Sequence, residues 1–415
     1  MHVIVVGAGI VGVCCAWYLR REGCEVTVLD RRSGVAQETS FANAGIVAAG
    51  NINPWAAPGM PRKVLSYLLA REAPLRFTPT ASPAQWRWLA RWLGQCRLDR
   101  YRVNRERMQR IALYSRSQLH ALRAELGIEY EQAQGYLQLL RSEREVELTD
   151  PARAMLAEQG VPFALLDPAQ VYELEPGLSR EAPLAAALHL PEDESGNCAL
   201  FAHALRRHAE DAGVRFRFNQ LVQRVLVDGS SARGVVVARR EIAADAVVIA
   251  AANASPALLR PCGIRIPMYP IKGYSATVAL EPAEIGPRHA MMDEAYKTAI
   301  TPFGNRIRIA GTAEIGNAEL TMHEPSLRTL LKVAKDWFPA AARYSKSQYW
   351  VGARPMLPDG APLLGATPVR GLFLNLGHGS TGWAMACGSG RVVAHAVAGR
   401  EPEISLDGLT LERYR

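Results

Sequence analysis

The chain lacks paired cysteines, an acidic surplus and internal repeats. Its seven cysteines (14, 15, 24, 96, 198, 262 and 387) include no C-x-x-C spacing. That argues against a disulfide framework or a cysteine zinc site and makes a reducing compartment the expectation. Cys14 and Cys15 read as core filling, and no metal site is expected. No low-complexity segment occurs. Only one apolar run is long, VIVVGAGIVGVCCAWYL at 3–19. It has no basic leader, is broken by Gly7, Gly9 and Gly12, and is short for a membrane span, so it reads as a buried strand, turn and helix. No membrane-crossing helix is expected elsewhere. With 49% apolar and 21% charged residues among 415, disorder is excluded. The length suits two or three units, or one large α/β unit with an insertion.

The formal charge of +8 has a local source. Between 85 and 123 lie ten arginines (87, 91, 97, 100, 102, 105, 107, 110, 116 and 123), opposed only by Asp99 and Glu106. Trp86, Trp88 and Trp92 open the stretch. Arginine mixed with tryptophan on a helix suits an anionic membrane surface or an acidic partner. A solvated helical face with its tryptophans in the core fits as well.

The opening reads as strand 3–6, turn 7–9, helix 10–22, turn 23 and strand 25–30, one βαβ unit. Residues 40–50 read as a loop or helix start, and the proline-rich 54–83 as irregular. A helical pattern then runs to about 126. A second α/β signature follows 196, with a helix over 199–212 and strands over 214–218, 222–227, 232–238 and 244–251. Residues 267–280 and 296–313 alternate as antiparallel strands do. A helix is expected over 324–337, a strand over 372–376, a glycine-rich turn and a closing helix over 383–398.

Gly7-Ala8-Gly9-Ile10-Val11-Gly12 fits G-x-G-x-x-G after a strand (ending at Val6) and at the start of a helix. The three glycines permit the turn, the approach of a pyrophosphate and close helix–strand packing, and the helix N-terminus favours the phosphates. Asp30, ending the next strand, is placed for a ribose hydroxyl. The stretch LNLGHGSTGW at 374–383 repeats the strand, glycine turn and helix. A second helix N-terminus there could face a second anionic group, such as a reduced flavin pyrimidine. A nicotinamide enzyme has no need of it, so FAD is the expected cofactor.

These motifs, with ETSFANAG, NPWAAPG, HLPEDESGNC, YPIKGYS, DEAYKTAIT, NRIRIAGTAEI, GARPMLPDGAPLLG and GHGSTGWAMACGSG in order, resemble the FAD-dependent D-amino-acid dehydrogenases. These lie within the wider family of D-amino-acid oxidase, glycine oxidase and sarcosine oxidase. The resemblance covers nearly the whole chain. It implies an α/β fold: a Rossmann-like FAD-binding domain from 1–53, 194–266 and 345–415, with an inserted α+β substrate domain from 54–193 and 267–344 carrying a mixed or antiparallel sheet. It implies hydride transfer from the Cα of a D-amino acid to flavin N5, giving a 2-oxo acid and ammonia. Electrons would pass to a respiratory acceptor, a quinone or partner protein. The location implied is cytoplasmic or peripheral on the inner membrane face, with contact through 85–123. AQGYLQLLRS lacks a double glycine common in relatives, and the stretch after AEIGNAEL looks shortened. Both departures leave the substrate side chain open, with D-hydroxyproline or another secondary amine as the alternative. Nucleic-acid modification and a flavin-binding subunit inactive alone stay open too, though no RNA-binding motif is visible and no nucleic-acid partner is expected.

Carboxylate recognition favours a planar guanidinium. Arg354, before Pro355, matches the arginine that binds the substrate carboxylate in the oxidase relatives; an ion pair with Asp359 is the structural alternative. Tyr296, on a strand over the flavin, and Tyr274 are further candidates, each also readable as core, and Lys272 is placed near the flavin. If the amine arrives neutral, no catalytic base is needed, and His378 is expected only to orient the turn or tune the flavin. For FAD the expected residues are Val6 to Gly12 and Asp30, with Arg31 or Arg32 near the adenine. Ser40, Asn43, Ala44 and Gly45 follow at the pyrophosphate or ring. Val225 and Ala251 join the adenine side, and Gly377, His378, Gly379, Ser380 and Thr381 the ring.

Overall fold

In a computed structural model the described residues are 1–69, 72–281, 283–316 and 319–414. Residues 70–71, within the stretch read as irregular, and 317–318, within the stretch read as shortened, lie outside them.

The apolar run 3–19 folds as its glycines require. Strand His2–Val6 is buried on both faces, as an interior strand of a parallel sheet must be. It pairs in parallel with Glu25–Leu29 on one side and Ala246–Ile249 on the other. Arg215–Arg217 and Leu372–Leu376 extend the sheet in parallel, and Leu363–Ala366 closes one edge antiparallel. Helix Ile10–Arg21 packs against Cys198–Asp211 and the closing helix Gly382–Ala398. Gly390 allows that last contact, since a Cβ there would meet Cys14 C and Cys15 N at 2.8 Å. Cys14 and Cys15 are fully buried in this layer, with Cys14 Sγ 3.8 Å from Cys387 Sγ. Burial pushes the Cys15 thiol up to about 12. Both act as core. A small antiparallel sheet, Val222–Asp228, Ser231–Val237 and Arg240–Ala243, lies beside the large one.

The second large sheet is mixed. Its spine is Gln348–Met356, Tyr269–Ala279, Arg306–Ile315, Thr298–Phe303 and Ala290–Asp293, all antiparallel, continued in parallel by Ala133–Leu140 and then antiparallel by Ala186–Ser195 and Ile46–Val47. Helix Glu324–Trp337 covers one face. It starts where His323 accepts from Ser326 N and Pro325 occupies the first turn. Two segments expected in the first sheet's part of the chain join this one, Ile46–Val47 and Gln348–Met356. The chain therefore returns to the parallel sheet after Met356, later than expected. The proline-rich stretch is also more regular than expected, holding helix Met60–Leu69 and strand Leu75–Phe77. Pro61 sits in the helix's first turn, where a missing N–H costs nothing. Among the described residues no helix is long and apolar enough to cross a membrane.

Candidate functional site

At the first glycine turn, Gly7 takes φ +113°, and a Cβ there would lie 2.4 Å from Ala250 O. A Cβ on Gly12 would lie 1.9 Å from Gly7 O, so helix and strand approach as only glycine allows. Gly9 is different: Ser40 Oγ at 3.4 Å is all its Cβ would meet, which leaves its outer side open to a ligand. Ser40 Oγ accepts from Ile10 N at 3.1 Å and so caps the helix from a neighbouring loop. Ala8 is buried, and Val11 packs at the edge of the core. Asp30 Oδ2 accepts from Ala8 N at 2.6 Å and Oδ1 from Arg32 N at 2.7 Å. Each carboxylate oxygen keeps a lone pair for a further donor.

A cleft runs past this turn, walled by Gly7, Gly9, Asp30, Ser40, Ala251 and Val222. Arg31 and Arg32 form its rim and both bond Glu38. Val225, expected at the adenine, is paired with Val235 and buried in the core, while Gln220–Val222 form that wall.

The loop after Ser40 is fastened to the mixed sheet at three successive carbonyls. Ser275 Oγ donates to Ala42 O at 2.8 Å, Arg308 Nη1 to Asn43 O at 3.2 Å and Thr301 Oγ1 to Ala44 O at 2.7 Å. Asn43 Oδ1 accepts from Gly45 N, and Gly45, at φ +74°, lies where a Cβ would strike Phe303 at 2.4 Å.

Arg354 stands on that same sheet face. It is opposite Ile271, and its guanidinium lies over Gly273, where a Cβ would be 2.3 Å from Nη2. Nη1 donates to Lys272 O at 3.0 Å and Thr312 O at 3.4 Å. Thr312, at φ +45°, makes the bulge that turns this carbonyl toward the guanidinium, and its buried Oγ1 has no partner among the described residues. A β-branched residue with positive φ is strained, and such strain gathers at functional sites. The guanidinium lies 5.6 Å over the ring of Trp55. Trp55 Nε1 in turn donates to Ser380 Oγ at 3.1 Å. Among the described residues no carboxylate pairs with Arg354. Asp359 is taken by Arg413 at 2.8 Å and the Tyr414 hydroxyl at 2.7 Å. Burial lowers the Arg354 guanidinium to about 10, which leaves it charged at neutral pH.

The other three catalytic candidates do not join it. Lys272 and Tyr274 project from the opposite face, where Lys272 Nζ meets Glu314 Oε1 at 2.8 Å and the Tyr274 hydroxyl donates to Glu314 Oε2 at 2.5 Å. Tyr296 is in a turn, not on a strand: Asp293 Oδ1 accepts from its N–H, Lys297 takes φ +47°, and Lys332 Nζ donates to its hydroxyl. Both tyrosines pack in the cluster beneath helix Glu324–Trp337.

The second glycine turn lies where Trp55 ends. Gly377 and Gly379 take φ +79° and +57°. Thr381 N–H and Oγ1 both donate to His378 O. His378 is buried, and its Nε2 is 3.0 Å from Ser389 Oγ on the closing helix. Burial pushes its imidazole down to about 3, so it is neutral and orients the turn.

Sequence reasoning missed Trp55, although NPWAAPG contains it. It also placed Arg105 on a basic face. Arg105 is fully buried, with Nε on Asn53 Oδ1 at 3.1 Å and Nη1 on Gln159 Oε1 at 3.2 Å. Thus it anchors the residues just before Trp55.

A glycine turn at a helix N-terminus, a carboxylate ending the next strand, and a second glycine turn facing a large mixed sheet define a dinucleotide-binding α/β protein. The chain belongs to the DAO family of FAD dependent oxidoreductases, whose match spans residues 2–396. The fold is that of glycine oxidase from Geobacillus kaustophilus (24% identity, TM-score 0.78, 99% of this chain and 97% of that one). It is similar also to L-proline dehydrogenase from P. horikoshii (20%, 0.75, 100% and 97%). A third likeness is to iminodiacetate oxidase from Chelativorans sp. BNC1 (20%, 0.73, 98% and 98%). FAD is the cofactor, and the open side of Gly9, the capped helix start and Asp30 fit its pyrophosphate and ribose.

Proposed function

We propose that this oxidoreductase converts a D-amino acid to its 2-oxo acid and ammonia and passes the electrons to a respiratory acceptor, a quinone or partner protein. The observation that carries the reading is Arg354, a half-buried guanidinium with no carboxylate partner among the described residues, on the sheet face that the FAD loop crosses. A charge so placed is costly unless an anion joins it. The substrate carboxylate is that anion, bound through the guanidinium edge. Trp55 covers the guanidinium and ties it to Ser380, so the clamp and the second glycine turn are held in one geometry. FAD, when bound, supplies the two-electron acceptor for the Cα hydride. The amine enters already neutral, its proton left in solvent, so no side chain need act as base; His378, a neutral imidazole bonded to Ser389, only orients the turn. The resulting imine hydrolyses to the oxo acid and ammonia.

The three solved proteins above are named for glycine, L-proline and iminodiacetate, each an amine one carbon from a carboxylate, which supports an amino-acid substrate. Two of those are secondary amines, which favours D-hydroxyproline or a related secondary amine as the second reading. A panel of D- and L-alanine, D-proline, hydroxy-D-proline and sarcosine, run with a dye acceptor and an oxygen electrode, separates the two. Dye reduction with D-alanine and stoichiometric ammonia, with little oxygen uptake, is expected. Turnover of sarcosine or hydroxy-D-proline alone selects the second reading.

A further inference from the structure

Helix Leu98–Leu126 turns inward a cation that packing does not explain. Arg105 is fully buried, and among the described residues no carboxylate pairs with it. Its Nε and Nη1 each bond a neutral amide oxygen, of Asn53 and of Gln159, and its Nη2 has no partner among the described residues. A guanidinium buried against two neutral amides costs stability relative to an apolar side chain of its size. What the cation secures is geometry: one rigid plane joins its helix, residue 53 and the end of helix Asp150–Glu158.

The segment 50–55 is held at two points. At its root, Asp193 Oδ1 accepts from Gly50 N at 2.8 Å and Oδ2 from Asn51 N at 3.3 Å. Further on, Asn53 Oδ1 accepts from Arg105 Nε at 3.1 Å and from the Tyr101 hydroxyl at 2.8 Å. Asn53 Nδ2 donates to Asn51 Oδ1 at 2.9 Å and to Asn51 O at 3.3 Å. Every bonding position of this amide is used, so it has one orientation. Only Pro54 separates it from Trp55, and a proline fixes its own φ and keeps the residue before it extended. The placement of Asn53 therefore passes almost rigidly to the indole. The indole lies 5.6 Å over the Arg354 guanidinium and donates to Ser380 Oγ. Held there, it keeps water from one face of the guanidinium and leaves the planar edge for a carboxylate.

We propose that Arg105 is a positioning residue for the substrate carboxylate: through Asn53 and Pro54 it holds Trp55 across Arg354 and so sets the shape of the clamp. Arg105 acts through the indole, not by contact with Arg354. The inference rests on Arg354 being the clamp, but not on the handedness of the substrate.

The test is a double-mutant cycle on the FAD-loaded protein with a dye acceptor. The substrate is whichever of D-alanine, L-alanine, D-proline, hydroxy-D-proline and sarcosine the parent oxidises fastest. Arg105→Met should keep its flavin and its urea midpoint, since an apolar side chain replaces a buried charge without a counter-ion. It should raise KM about 10-fold, with kcat within about two-fold of the parent. Arg105→Lys, long enough to reach Asn53 Oδ1, should recover most of that KM. In a Trp55→Phe background, which lacks the bond to Ser380, Arg105→Met should change KM by less than about two-fold, because the two residues act in series. Asn53→Ser, on the half-buried segment, carries the same prediction for KM if Arg105→Met does not fold. A parental KM in Arg105→Met or, where that chain does not fold, in Asn53→Ser would overturn the proposal. So would an effect of Arg105→Met that stays full-sized without the indole. Arg354→Leu run beside them separates the failures. If it raises KM and Arg105→Met does not, the positioning fails alone; if it leaves KM unchanged, the clamp fails and this inference falls with it. Turnover of sarcosine but not D-alanine changes the substrate and leaves the positioning standing.

Discussion

Arg354 spans one carbonyl of its neighbouring strand and one of a strained bulge, with an indole across its face. Among the described residues nothing in that shell is negative. Exchanging it for leucine removes the charge and leaves the FAD cleft, built on the other sheet, untouched. Arg354→Leu should keep its flavin and lose about 30- to several thousand-fold in kcat/KM, mostly through KM, the range for leaving a buried charged partner unpaired. Flavin content and steady-state kinetics check this, and near-normal kinetics would remove the clamp from the account. The arginine itself was legible in GARP, because a permanent charge in an apolar stretch demands a reason. Its freedom from Asp359 was not, since the competing cation, Arg413, arrives from far along the chain. Trp55 was hidden for a similar reason: its value lies in touching both Arg354 and Ser380, two contacts that no local pattern records.

Strand Tyr269–Ala279 shows what a period of two can and cannot say. Alternation places Lys272 and Tyr274 on one face and Ile271 and Gly273 on the other, yet it does not say which face meets the cofactor. The bonds to Ala42, Asn43 and Ala44 mark the face that the loop after Ser40 crosses, and Lys272 and Tyr274 fall on the other side. Glu314→Gln should therefore cost stability, about 1–3 kcal/mol, by weakening the charged contacts with Lys272 and Tyr274, with KM within about three-fold of the parent. Denaturant melts and kinetics distinguish this from a substrate role, for which KM would change and stability would not. The second glycine turn has its own signature. With burial holding His378 near 3 and an unfolded histidine near 6.5, the unfolded chain binds a proton across that window that the folded chain does not. Stability is thus full above about pH 6.5 and is lost as pH falls toward about 3. His378→Gln should flatten that fall in urea midpoints; an unchanged slope would mean that the imidazole titrates normally.

Across the whole molecule, two sheets meet along residues 42–55, one built to hold a dinucleotide and the other presenting Arg354. The glycine turns were legible because their constraint is local: only glycine tolerates the approach of Gly12 to Gly7 O. The course of the interrupted chain was not legible from local pattern. Ile46–Val47 and Gln348–Met356 read as ordinary apolar strands, and their sheet is chosen by partners distant in sequence. Helix Met60–Leu69 was masked by prolines that mark its start rather than exclude it. The central claim, that FAD in this frame accepts electrons from a D-amino acid, is tested most directly by the absorbance of the purified protein under anaerobic addition of D-alanine, L-alanine, D-proline and hydroxy-D-proline. The account predicts a flavin spectrum bleached by a D-amino acid and left intact by L-alanine. A protein with no flavin absorbance after reconstitution with FAD, or one bleached by L-alanine alone, would contradict it.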